Sequence, residues 1–411
     1  MRHIVKPLLR NRMMPLLVIL QVALACAIAC NALFLLQQKL MPILASDGVG
    51  QPNRLIVASQ VMAAGQPWTS ARLDTVEQAL RAIPGVASVS AAGSFPMDSE
   101  VKLTGGVFGV GTGIRGSAVV YIGDHLVRTL DLKLVAGRDF SAVEEAVQYK
   151  NIGITANGPT IITRALAERL FPHGDALGRV IRIGKHADAG QRTVVGIVAH
   201  LMRNQFGPDD RADIDYSMLF PGIPNHWAIP IFGVRVDNAS DVPRVRKAMQ
   251  ATIQRELGVD MVKGANPTYT TYGEMRDHTL AQPKAAVWLL SGVSLIVLLV
   301  TVVGIMGLTS YWVQQRTREI GIRRALGARR SHILHEVQLE NLLVVGAGVV
   351  LGLLLAYAIN LWLMRHYELQ RLPWTYLPYG AVLMLLLGQL AVLGPALRAS
   401  RVPPVVATRG I

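Results

Sequence analysis

Cysteine is nearly absent from this chain: of 411 residues only Cys26 and Cys30 are cysteines. Both sit in one apolar run near the start, so neither a disulfide framework nor a thiolate metal site organises the large segment that follows. Charge is also scarce. Asp, Glu, Lys and Arg make up 17% of the residues, below the roughly 25% usual in soluble domains, and the mean hydropathy is +0.36. That composition excludes a disordered chain and argues against an ordinary water-soluble enzyme. No GxxxxGK[ST] occurs, so these residues hold no P-loop to cradle ATP phosphates. No Ser or Cys nucleophile motif stands out either. The chain reads as a non-enzyme, with no cofactor and no metal of its own.

What the sequence does contain is four long stretches without Asp, Glu, Lys or Arg: Met13 to Gln38, Ala285 to Gln315, Asn341 to Met364 and Leu372 to Leu397. A span needs about 20 apolar residues, so each is long enough to cross a bilayer. A fifth uncharged stretch, Tyr216 to Val234, carries Pro221, Pro224 and Pro230 and cannot run as one apolar helix. A cleaved signal at the start is disfavoured, because the apolar run continues past Ala27-Ile28-Ala29-Cys30 through Leu36.

The net charge of +14 is a statement about topology rather than nucleic acid. Arg2, Lys6, Arg10 and Arg12 precede the first span. Arg316, Arg318, Arg323, Arg324, Arg329 and Arg330 crowd the loop between the second and third, and Arg398, Arg401 and Arg409 lie in the tail. The long segment from Lys39 to Lys284 is nearly balanced, with 26 basic and 23 acidic residues. By the positive-inside rule both termini and the 314–340 loop are cytoplasmic, and the long segment lies outside. Aromatic residues agree, with Trp288, Tyr311, Trp312, Trp362, Trp374, Tyr376 and Tyr379 at span edges. The expected layout is therefore a cytoplasmic N-terminus (1–12) and a first span (13–38), then a periplasmic domain of two subdomains (39–284) and a second span (285–313). A cytoplasmic loop (314–340), a third span (341–364), a short outer loop (365–377), a fourth span (378–397) and a cytoplasmic tail (398–411) complete it.

No ionisable group lies mid-span, which argues against proton relays and ion-coupled carriers. Gln21, Asn31, Asn360 and Gln389 read as interhelical glue, and Gly348-xxx-Gly352 as a close helix contact. The second span, roughly 43 Å long as a helix, exceeds the ~30 Å hydrocarbon core; it must tilt or project toward the outer domain.

The outer segment reads as α+β. Strands are expected at 54–59 and 86–92 around a helix bearing Leu73, Val76, Leu80 and Ile83 at +3, +4, +3, stopped by Pro84-Gly85. A second unit runs from Thr160 into a helix through Leu166 and Leu170, with strands at 179–183 and 192–198. A third has a strand at 231–236 and a helix with Val245, Met249, Ile253 and Leu257, closed by Gly258. Gly111-Thr-Gly113-Ile-Arg-Gly116 matches GxGxxG but opens no helical pattern, so a hairpin or loop is the better reading than a dinucleotide site. His332-Ile-Leu-His335-Glu336 has the wrong order for a zinc-protease motif and reads as a solvated helix face. Asp209, Asp210, Asp213 and Asp215 read as a solvated acidic loop, with cation binding the lesser alternative.

The most informative segment is Gln314 to Ala328, QQRTREIGIRRALGA. It is a short amphipathic helix with Ile320, Ile322, Ala325 and Leu326 as apolar knobs, Arg residues flanking them and Gly327 as its stop. On composition alone it could equally rest on anionic headgroups. Its wording closely resembles the RTREIGIRxAxGA signature of FtsX-like, MacB-type ABC transporter permeases. The tail from Pro395 to Arg409 and the pieces Gly137 to Phe140, Ala165 to Gly184 and Val194 to Val198 continue the resemblance over nearly the whole chain. The resemblance implies four membrane helices with a large α+β periplasmic domain between the first two, in the cell inner membrane. It implies a coupling helix seated in an ATP-binding cassette ATPase through Arg316, Glu319, Ile320, Arg323, Leu326 and Gly327, with ATP and Mg bound by that partner. The macrolide exporter of this family carries its ATPase in the same polypeptide, so here a separate ATPase chain is expected. A second permease copy or paralogue would complete the transporter, and a periplasmic adaptor and outer-membrane channel are further partners the family suggests. The implied activity is mechanotransmission that exports peptides, antibiotics or other amphiphiles. Signalling of the cell-division type, or lipoprotein release, on the same fold is the alternative.

Overall fold

The four uncharged runs become four long helices, and each continues past a bounding charge at one end or more: the first past Lys39, the second past Lys284, the third past Glu340 and Arg365, the fourth past Arg398. The computed structural model describes residues 13–65, 67–98, 103–146, 148–149, 156–184, 190–203, 214–224, 229–367 and 372–401. The chain divides into two units, one built from Met1–Met41 with Pro283–Ile411 and the other from Pro42–Gln282. In the membrane unit the helices are α1 (Met13–Leu44), α7 (Tyr272–Gln315), α9 (Arg330–Tyr367) and α10 (Tyr376–Ser400), with the short α8 (Thr317–Ala325) between α7 and α9. All four long helices are apolar enough to cross a membrane. Helices satisfy backbone groups in lipid internally; Pro42, Pro283 and Pro395 inside them each lack an N–H and so remove one bond to the carbonyl a turn earlier.

Small residues set how closely these helices approach. A side chain added at Gly348 would lie 2.8 Å from Val22 Cβ, one at Gly352 2.6 Å from Cys26 Cβ, and one at Gly388 2.8 Å from Val345. The Gly348/Gly352 pair thus works as the spacing suggested, bringing α9 against α1. Amides supply the polar glue. Asn31 donates to the carbonyls of Ala27 and Ala356 at 3.0 and 3.2 Å, and Gln21 to Val300 at 3.2 Å. Asn360 accepts from Leu372 N–H at 2.7 Å, and Asn341 donates to Gly388 O at 3.1 Å.

The inserted unit contains, in chain order, β1 (Leu55–Ser59), α2 (Ser70–Arg81), β2 (Val86–Ala92), β3 (Thr104–Gly109), β4 (Arg115–Ile122), α3 (Leu126–Leu130), β5 (Leu134–Gly137), α4 (Ala142–Glu145) and β6 (Gln148–Tyr149). There follow β7 (Gly158–Thr163), α5 (Arg164–Leu170), β8 (Val180–Ile183), β9 (Gln191–Val198), β10 (Ser217–Phe220), β11 (Ile223–Pro224), β12 (Ile231–Val236), α6 (Val242–Leu257) and β13 (Thr268–Thr271).

Two sheets organise it. The first is antiparallel, in the order β13-β1-β12-β2. Side chains alternate across a strand: Ile56, Ala58, Phe232 and Val234 meet the apolar faces of α2 and α6, while Leu55, Val57 and Ile231 enter a second core. Both faces are buried, which is why β1 reads as a nearly continuous apolar run. Strands β9, β7, β10, β4, β3 and β8 pair in succession, and β8 pairs back onto β9, closing a ring of six; β5 adds to β9 outside it. Closure removes exposed edges from those six strands. Along β4, Val119 and Tyr121 point to the core shared with the first sheet, and Ala118, Val120 and Ile122 to a third core covered by Leu166 and Leu170 of α5.

The GxGxxG stretch is the β3–β4 hairpin. Gly111 and Gly113 hold φ of +92° and +67° in its turn and no helix follows, so the geometry of a dinucleotide fingerprint is missing. Asp209, Asp210 and Asp213 lie outside the described residues. Asp215 is engaged locally, accepting from Leu201 N–H at 2.8 Å with His200 Nδ1 at 2.9 Å. His332 and His335 are exposed on α9.

Candidate functional site

The segment singled out by its wording folds as a knuckle between α7 and α9. It starts where Thr317 Oγ1 donates back to Gln314 O at 2.8 Å and Ile320 N–H to Arg316 O at 2.9 Å, so the turn of α8 follows that of α7 closely. It stops where Gly327 adopts φ +98°, with Leu326 and Ala328 N–H donating to the carbonyls of Ile322 and Arg323. A glycine in the left-handed region is the usual device for ending a helix.

Two ion pairs tie this knuckle to α9. Arg316 donates through Nη1 to both oxygens of Glu340 at 3.2 and 3.0 Å, and its guanidinium lies 4.6 Å from the Trp312 ring centroid. The Glu340 side chain is only 2% exposed. Arg323 reaches both oxygens of Glu336 at 2.8 and 3.0 Å, in a more open position. Glu336 and Glu340 share one face of α9 because residues four apart on a helix are neighbours. A small cavity of about 40 Å³ lies between the ties, walled by Trp312, Val313, Ile320, Ile333 and Val337 among others.

The six residues predicted for partner contact therefore divide. Arg316 and Arg323 turn onto α9, and Ile320 is half-buried against the small cavity. Leu326 is 83% exposed and Ile322 48%; Glu319 and Gly327 are exposed as well. The outward apolar pair is thus Ile322 and Leu326, with Arg318, Arg329 and Arg330 exposed around it. Sequence reading missed Glu336, Glu340 and Trp312. The available signal was two carboxylates four apart on the helix facing two arginines seven apart. The arrangement offers a braced contact surface. Among the described residues no group of His, Cys, Asp and Glu is arranged to hold a metal.

Residues 291–404 match the FtsX-like permease C-terminal family model. Over 247 residues the chain is 29% identical to the macrolide export ATP-binding/permease protein MacB of Chromobacterium violaceum, a match covering 59% of this chain and 35% of that protein. The protein of the same name from Bdellovibrio bacteriovorus is 26% identical over 291 residues, 67% of this chain and 41% of the relative. Among solved structures, the periplasmic region of MacB from Actinobacillus actinomycetemcomitans aligns with a TM-score of 0.37 at 12% identity, covering 56% of this chain and 94% of that one. The matches span well under half the length of these curated relatives. Helices α8, α9 and α10 and most of α7 lie within the region that matches the FtsX-like permease C-terminal model, and the chain is similar to MacB proteins over 59% and 67% of its length.

Proposed function

We propose that this chain is the permease subunit of an ABC transporter working by mechanotransmission, with ATP hydrolysed by a separate ATP-binding cassette subunit seated on the α8 knuckle. The observation that carries it is the division of the knuckle into two faces. One is braced on α9 by two ion pairs; the other presents Ile322 and Leu326 outward. Exposed apolar side chains ringed by polar ones are what an interface core needs, and the brace lets a push on them move α9 as well. The positive-inside distribution supports placing both termini and the knuckle in the cytoplasm of an inner-membrane protein. The lack of ionisable groups in mid-span supports cargo handled at the outer face, for which peptides, antibiotics and other amphiphiles are the fitting class. A second permease copy or paralogue completes the assembly, with an adaptor and outer-membrane channel as further partners.

The test is purification of the tagged chain from its native membrane under mild detergent, with and without trapped nucleotide, beside an Ile322→Glu/Leu326→Glu variant. Both substitutions lie on exposed positions, so insertion should persist. We expect an ATP-binding subunit with the wild type and recovery lowered by about tenfold or more in the variant, as for loss of an interface anchor. An ATPase retained equally by both would remove the knuckle from the interface. If no ATPase is recovered under any condition, the transporter reading falls.

A further inference from the structure

In the inserted unit, α2 carries an acid where its apolar stripe should continue. Glu77 stands beside Val76 and Leu80 and is only 3% exposed. Directly opposite is Asp124, 5% exposed, in the connection between β4 and α3. Both carboxyls converge on one backbone donor: Ala91 N–H on β2 lies 2.6 Å from Glu77 Oε1 and 2.9 Å from Asp124 Oδ1. Strand β2 is the last in its sheet. The acids thus cover an edge that Gly123 also covers by its bridge to Ala92.

One N–H cannot compensate two buried anions. The neighbouring cation, Arg81, lies 3.3 Å from Glu77 Oε2 and 3.8 Å from Asp124 Oδ2, with its side chain 42% exposed and so partly screened by water. Among the other titratable groups, His125 offsets part of the Asp124 charge while it is protonated, and Asp74 adds negative charge. Asp74 lies one turn back on α2, and Glu145 of α4 holds His125, with Glu145 Oε2 2.8 Å from Nδ1. On α6, which also packs on α2, Arg244, Arg246 and Arg255 are engaged with Asp241, Glu274 and Glu256; Lys247 is exposed. Arg72 of α2 is taken by Asp260, and Arg128 is the charged residue of α3. Strands β2 and β11 contribute no ionisable side chain. Asp74, Glu77, Arg81, Asp124, His125 and Glu145 wall a cavity of about 400 Å³ between α2, the β4–α3 connection and α4.

We propose that Glu77 and Asp124 hold one proton between them and form a pH-sensitive latch that closes α2 onto the β4–α3 connection beside this cavity. With the proton present, the pair carries one negative charge, which Arg81 offsets, and the carboxyls bond to each other. When the proton leaves, two anions face each other in a poorly solvated site. Arg81 can answer only one, and the cavity wall parts. Burial first, then the Asp124 charge, pushes Glu77 up to about 10; Asp124 is also raised, chiefly by burial. The folded chain therefore keeps a proton that the unfolded chain gives up in the ordinary carboxylate range. The latch contributes fully below that range, and its contribution is lost as pH rises through the folded value of Glu77.

The experiment uses the full chain in lipid nanodiscs, with spin labels on cysteines introduced at Gln78 and Val143, exposed positions on α2 and α4; the native Cys26 and Cys30 are buried. Between about pH 6 and about pH 10 the label distance should gain a second, longer population that reaches about half of the molecules at the midpoint. Glu77→Gln, and separately Asp124→Asn, should hold the short distance at both ends, since each removes the second anion. An unchanged distance in the unsubstituted chain, or a variant that still shifts with pH like the unsubstituted chain, overturns the latch. Because an amide at a buried site can itself disturb folding, isotope-edited infrared spectroscopy of carboxyl-labelled unsubstituted chain supplies an independent reading. A protonated carboxylic acid persisting at about pH 8 supports the shared proton, and its absence overturns it.

Discussion

Arg316 and Arg323 look alike in the sequence, but their surroundings make them unequal. Arg316 faces a carboxylate that is 2% exposed and lies over the ring of Trp312, whereas Arg323 and Glu336 are 55% and 38% exposed. Removing one partner of a buried pair strands the other, at a cost of about 3–5 kcal/mol; an exposed pair contributes only about 0.2–1 kcal/mol. Arg316→Ala should therefore loosen the knuckle strongly, and Arg323→Ala only slightly. Hydrogen exchange of amides in 314–340 would show this as a large loss of protection in the first variant and a small one in the second. Equal losses would mean that the Glu340 environment is wetter than its burial implies. Neither the inequality of the arginines nor the burial of Glu77 was legible in the sequence. A Glu between Val76 and Leu80 in an amphipathic helix reads as surface, and only the fold shows β2 and Asp124 waiting opposite it.

Among the elements, local patterns carried most of the information. The spacing of Leu73, Val76 and Leu80, and of Val245, Met249, Ile253 and Leu257, marked α2 and α6 because a buried stripe repeats at the helical period, and the structure places these residues in one core. Strand β2 falls at Val86–Ala92, where it was expected after the Pro84-Gly85 stop. Pairing between distant strands left no such trace. Nothing in Val180–Ile183 announces that it bonds both to β3 and to β9 and so closes a ring. Helix ends in the membrane unit were not legible either. The first charged residue marks the edge of apolar sequence rather than the end of helical hydrogen bonding, and α7 runs from Tyr272 to Gln315. Close helix contacts give a contrast that can be tested. Gly352→Leu forces a side chain into the space held by Ala23 and Cys26, whereas the site at Gly346 is open. Overpacking costs about 1–3 kcal/mol, while Gly→Ala in an open helix interior gains roughly 0.5–1 kcal/mol. Thermal unfolding in detergent should fall clearly for Gly352→Leu and stay level or rise for Gly346→Ala. A similar fall for both would deny that the α1–α9 contact depends on that glycine.

For the whole molecule the decisive feature is that one helix, α7, contains residues of both units. Its first turns belong to the inserted unit, where Tyr272 and Leu280 are buried and Thr279 donates to Met97 O at 3.0 Å. Its last turn carries Trp312, against which Arg316 stacks. The helix runs through this boundary with one backbone hydrogen bond missing at Pro283, whereas a Gly-Gly insertion behaves as a flexible joint. If mechanotransmission is the working principle, inserting Gly-Gly after Pro283 should separate two activities that the intact chain links. ATP hydrolysis by the assembled transporter should remain within about twofold of wild type, because the knuckle and its partner are untouched. The ATP-dependent change in hydrogen exchange of residues 55–98 should fall on the order of tenfold, because the push no longer passes along α7. Shifting the insertion to the open loop at Gly264-Ala265, outside any helix or strand, should leave both quantities unchanged. If the Pro283 insertion preserved the ATP-dependent change, motion would have to reach the inserted unit through α1 instead, and α7 would lose its role as the transmitting element.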